Sequence, residues 1–78
     1  MERLKEYENW LFRNYSSEDT RNTYYNQVKF MFSKIDTLEQ KQLDDYITSR
    51  LEDDIGKASF NIMVNAIKSY LRFENRRL

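Results

Sequence analysis

Apolar residues recur along this chain at three- and four-residue spacing, and no segment alternates with period two over a useful length. That rhythm is helical. From Glu2 to about Asn14, Leu4, Tyr7 and Leu11 follow i, i+3, i+7, with Trp10 beside them and Phe12 nearby. Tyr15-Ser16-Ser17 breaks the pattern. Ser16 and Ser17 suit an N-cap, and Ser16-x-x-Asp19 has the spacing of a capping box. Glu18 and Asp19 then fall in a first turn, where the helix dipole favours acids. The second helix is predicted to reach about Ser33, with Thr20, Tyr24, Val28 and Met31 or Phe32 on one face.

Ile35-Asp36-Thr37 reads as the next connection, and Thr37-x-x-Gln40 as a second capping box. Leu38, Leu43, Tyr46, Ile47 and Leu51 form the inward stripe of a third helix ending near Glu52. Asp53 through Lys57 is the clearest loop, with Gly56 suited to positive φ. Ser59 is read as the cap of a fourth helix, which faces Phe60, Met63, Ile67, Tyr70 and Leu71 inward and fades into residues 75–78. Ile62, Ala66 and Phe73 flank that stripe. The prediction is one all-α domain over residues 1–78, a compact four-helix bundle whose core contains Trp10, Tyr24, Ile47, Ile67 and Tyr70. Short links favour antiparallel neighbours.

Composition narrows the chemistry. The 78 residues hold no cysteine, no histidine, no proline and one glycine. Disulfides, thiolate–metal sites, histidine acid/base catalysis and glycine-rich phosphate loops are therefore excluded. A chain of this size buries only about 60% of its unfolded surface, too little for a deep catalytic cleft. Asp44/Asp45 and Asp53/Asp54 are adjacent carboxylates, but neighbours on a helix point in different directions. One Trp, six Tyr and five Phe supply the bulk of a small core. No apolar run approaches a membrane span and no signal peptide is visible, so a soluble, cytoplasmic protein without metal or cofactor is expected.

Lys+Arg and Asp+Glu both number 13, but the charges are unevenly spread. Residues 36–54 carry a net −5 and residues 57–78 a net +4. On the fourth helix Asn61, Asn65, Lys68 and Arg72 recur at i, i+4, i+7, i+11 with no acid among them. On the second, Asn22, Tyr25, Asn26, Lys29 and Ser33 do the same, with Arg21 at the edge. Amides can read base edges, cations can hold phosphates or guanine, and phosphates repel carboxylates. Two such rows are also what an ordinary solvated surface looks like. Tyr25 is either a rim residue or a hydroxyl available to base or phosphate.

The four helices together resemble the core-binding, SAM-like N-terminal domain of tyrosine recombinases and phage-type integrases. The first helix of that domain has the form aromatic-x-x-W/F-L, matched by Tyr7-Glu8-Asn9-Trp10-Leu11. Ser17, Thr20, Tyr24, Val28 and Met31 match the second, and Tyr46-Ile47 the pair ending the third. Asn61, Ala66-Ile67-Lys68-Ser69-Tyr70 and Phe73 follow the pattern of the fourth. The likeness spans about residues 5–75. It implies an orthogonal four-helix bundle that clamps double-stranded DNA through its second and fourth helices. The same likeness implies a C-terminal catalytic domain in the parent protein and fellow recombinase protomers as partners. The family's catalytic arginines, histidines and tyrosine belong to that other domain, so this chain is expected to be non-catalytic, either an excised domain or a stand-alone relative.

In that reading Lys68 and Arg72 contact phosphates, and Lys57 and Ser59 grip the backbone at the start of the fourth helix. Asn61 and Asn65 approach base edges. Arg21, Asn22, Tyr25, Asn26 and Lys29 take the adjacent duplex. The alternative is a small protein-interaction module that uses the acidic third helix.

Overall fold

The computed structural model describes residues 2–77. Among them are four helices and no strand: α1 (Glu2–Asn14), α2 (Glu18–Lys34), α3 (Gln40–Glu52) and α4 (Lys57–Arg77). The predicted end of α4 extends to Leu78, which lies outside the described residues. The Cα extents are 34 × 25 × 18 Å. The long one matches α4, whose 21 residues rise about 31 Å.

Capping chemistry sets the helix starts. Ser17 is the N-cap of α2, and its hydroxyl accepts from the Thr20 amide at 3.3 Å. The predicted box at Thr37 does not form. Glu39 is the N-cap of α3 and makes no side-chain cap bond. Instead the Gln42 side-chain carbonyl accepts from the Asp36 amide at 3.2 Å and folds the connector back on the helix. Ser59 is not the cap of α4 either, because the helix starts two residues earlier. The Phe60 amide donates to the Gly56 carbonyl at 3.0 Å, so Gly56 stands at the N-cap. Gly56 has φ +86°, as anticipated, but Asp54 also adopts a left-handed conformation, at φ +55°. Asp54 follows the C-cap Asp53 of α3, and its amide donates to the Leu51 carbonyl at 3.1 Å.

α1 and α2 form an antiparallel pair. The Arg21 guanidinium lies over the Phe12 ring at 4.9 Å near the connecting turn, and Glu8, Leu11, Asn22 and Tyr25 line the groove between the two helices. The most extensive contact is between α2 and α4. These two run in the same direction: Tyr24 is close to Ile62, and eight residues on Phe32 meets Tyr70, ring centres 5.2 Å apart. The preference of short links for antiparallel neighbours concerns consecutive helices, and α2 and α4 are not consecutive. α3 makes the parallel arrangement possible, because it carries the chain from the end of α2 back to the start of α4.

The core is aromatic. Tyr7 and Tyr70 are fully enclosed, with Trp10, Phe73 and Tyr46 almost so. Tyr7 sits 5.0 Å from Tyr70 edge-on and 5.5 Å from Phe73. Leu4, Leu11, Val28, Met31, Ile35, Leu43, Met63, Ala66 and Ile67 complete the buried apolar set. Tyr24 and Ile47 are only partly buried at its margin. Two predicted core residues are exposed, Leu51 at 55% and Leu71 at 37%. Leu51 lies in the last turn of α3, where the chain is already turning toward α4. Ser69 is the reverse case: a polar residue buried to 1%.

Candidate nucleic-acid interface

On α4 the residues Asn61, Asn65, Lys68 and Arg72 are all exposed. At about 100° per residue they lie opposite the buried Met63, Ile67 and Tyr70. The row covers about three turns. The acid of α4, Glu74, is turned away from it: the Tyr70 hydroxyl donates to its carboxylate at 2.9 Å, and Arg3 pairs with it at 3.4 Å. Lys68 and Arg72 make no ion pair with any described residue.

Lys57 and Ser59 are exposed at the start of α4. The first amides of a helix lack intrahelical acceptors and present the positive end of its dipole. Asp53 and Asp54 precede this end, and Asp54 lines a groove with Lys57. The field there is mixed, in contrast to the acid-free row one turn further on.

On α2, Asn22, Asn26 and Lys29 are exposed and lie opposite the buried Val28 and Met31. Arg21 is committed elsewhere. Its guanidinium Nη1 donates to the Tyr15 carbonyl at 2.8 Å and the Ser16 carbonyl at 3.1 Å, and lies 4.9 Å above the Phe12 ring. It thus ties down the turn between α1 and α2. Tyr25 is half-buried in the α1–α2 groove beside Glu8 and Glu18, which fits the rim reading.

Each row lies opposite the buried side of its own helix, and the two helices pack on each other. Two acids of α3 make contacts within their own helix. Asp44 accepts from the Gln40 amide at 2.9 Å, and Asp45 pairs with Lys41 at 3.6 Å.

Three tyrosines hold their protons more tightly than usual. Burial raises Tyr7 to about 12, and burial also raises Tyr46 and Tyr70. Among the described residues no acidic cluster is gathered that could hold a metal ion, and no helix is long and apolar enough to cross a membrane.

Sequence reasoning missed a second cluster. Phe30, outside the core stripe of α2, meets Tyr46 of α3 at 6.3 Å between ring centres and lies under the Arg50 guanidinium at 4.8 Å. The signal available was the i, i+4 spacing of Tyr46 and Arg50 on α3, facing a large apolar residue with no place in the α2 stripe. Neither the protein-family models, nor the curated proteins, nor the solved structures include a match to this chain.

Proposed function

We propose that this chain binds duplex DNA as a non-catalytic domain, of the SAM-like, core-binding kind found in tyrosine recombinases and phage-type integrases, with α4 as its principal contact. The observation that carries the reading is the exposed, acid-free row Asn61, Asn65, Lys68, Arg72, with Glu74 drawn inward by Arg3 and Tyr70. Lys68 and Arg72 neutralise phosphates, and Asn61 and Asn65 lie on the same row for base edges. Lys57 and Ser59 approach the backbone at the helix start. Asn22, Tyr25, Asn26 and Lys29 make the second contact, on a separate stretch of duplex; Arg21 supports them by holding the α1–α2 turn. A catalytic domain following in the parent protein, and sister protomers at a recombination site, are the partners this reading calls for.

The test is an NMR titration with short duplexes at low salt. Shifts are expected along Asn61–Arg72, with affinity on the order of the 10⁻⁴–10⁻⁶ M of non-specific binding. Lys68→Ala or Arg72→Ala should each lower the salt slope by about one. Asn65→Ala should cost about 1–3 kcal/mol on a cognate site only. Shifts confined to residues 38–54 would replace this reading with protein interaction through acidic α3. The exposure of Leu51 among the acids of that helix favours this second reading.

A further inference from the structure

A groove of about 400 Å³ lies where the C-terminal half of α2 meets α3. That volume is within the range of small-ligand sites. Phe30, Ile35 and Tyr46 give it an apolar wall. Phe30 is 39% exposed, and both the Arg50 guanidinium and the Lys34 ammonium lie over its ring, at 4.8 and 5.4 Å.

The polar groups here are unevenly satisfied. Tyr46 is 4% exposed, yet its hydroxyl has no hydrogen-bond partner. The Nε of Arg50 is likewise buried and unpaired. These residues stand at i, i+4 on α3, so their donors share one face. The carboxylates that line the groove are already engaged: Asp45 pairs with Lys41 at 3.6 Å, and Asp53 with Arg50 Nη1 at 3.5 Å. Lys34 has no carboxylate partner among the described residues. Asp45, Asp53 and Ser49 also line the groove, but none of them reaches the Tyr46 hydroxyl or Arg50 Nε, so these two donors stand unpaired against an aromatic wall. Leaving buried donors unpaired is unfavourable, and an acceptor placed between them removes that penalty.

We propose that this groove binds a small aromatic carboxylate, its ring against Phe30 and Ile35 and its oxygens accepting from the Tyr46 hydroxyl, Arg50 Nε and the Lys34 ammonium. Lys34 is exposed at the mouth and parts from Phe30 as the ligand ring takes its place, while Arg50 keeps its position with its Nε buried. The carboxylate satisfies the orphaned donors; the ring supplies apolar contact that a bare anion lacks. Burial keeps the Tyr46 hydroxyl protonated and able to donate. The site is on α2 and α3 and stands apart from the α4 row, so it does not depend on DNA binding.

The experiment is an NMR titration of the 78-residue chain with indole-3-acetate, run beside indole alone and acetate alone. Saturable shifts at Phe30, Ile35, Tyr46 and Arg50 are expected with indole-3-acetate, and a response at least about tenfold weaker with either half. Tyr46→Phe keeps the ring and removes the donor, so affinity should fall about tenfold while the melting temperature stays near wild type. Lys34→Gln, at the rim, should weaken binding several-fold without affecting the fold. An equal response to indole and indole-3-acetate would reduce the site to an apolar groove. A saturable response to acetate alone would reduce it to an anion site. Unchanged affinity in both variants would also overturn the proposal.

Discussion

The Tyr7 hydroxyl donates to the Ser69 hydroxyl across 2.5 Å in the closed interior, joining α1 to α4 over 62 residues of sequence. The direction follows from the next bond. Ser69 has one proton and gives it to the Ala66 carbonyl at 2.7 Å, so its oxygen is left to accept. Both side chains are essentially without solvent contact. A polar residue is thus tolerated in an aromatic core because each of its hydrogen-bonding roles is filled.

Removing either member should have unequal effects. Tyr7→Phe leaves Ser69 still bonded to Ala66 and should cost about 0.5–1.5 kcal/mol. Ser69→Ala strands the Tyr7 hydroxyl and should cost more, about 1–3 kcal/mol. The double variant should cost less than the two together, since the stranded group is gone. Urea unfolding of the four proteins checks this; strict additivity would mean that the two hydroxyls do not interact.

Stability should fall in alkali, for a reason that can be signed. Burial raises the Tyr7 hydroxyl from its ordinary value of 10.0 to about 12 in the folded chain, and Tyr46 and Tyr70 shift the same way. In the unfolded chain these phenols lose their protons more readily. The folded state therefore keeps its full stability below about pH 10 and loses it as pH rises toward 12. Urea midpoints followed from neutral pH into that window should decline, and Tyr7→Phe should decline less steeply. A flat profile to pH 12 would contradict the burial of these hydroxyls.

Arg21 should behave as a structural residue. Arg21→Ala removes two bonds to the Tyr15 and Ser16 carbonyls and the contact with Phe12, and should cost about 1–2 kcal/mol. Lysine should rescue poorly, because it lacks the planar fork. Thermal melts measure the loss. With the fold intact at low temperature, the salt slope of DNA binding should be unchanged by Arg21→Ala and reduced by Lys68→Ala.

Tyr70 is the central ring of the core, in contact with Tyr7, Phe32 and Phe73. Tyr70→Ala should cost about 3–5 kcal/mol, as other large aromatic truncations do. That approaches the whole stability of a domain this small. A variant melting within a few degrees of wild type would exclude a central role for Tyr70.

Four helices, their approximate ends and most of the buried stripe were legible in the sequence, because periodicity and capping are local properties. Leu4, Tyr7 and Leu11 on α1 and Met63, Ile67 and Tyr70 on α4 sit where their spacing puts them. The row Asn61, Asn65, Lys68, Arg72 is exposed for the same reason: residues opposite a buried stripe face water. What spacing does not contain is the position of the neighbouring helix. Only the tertiary structure decided that α2 and α4 run parallel. It also decided that Arg21 turns back to the α1–α2 turn, that Leu51 lies beyond the reach of the core, and that Ser69 finds a donor in Tyr7. Each of these depends on contacts between residues distant in the chain. A residue's own helix cannot specify them, since the same amphipathic stripe can be covered by a partner from either direction.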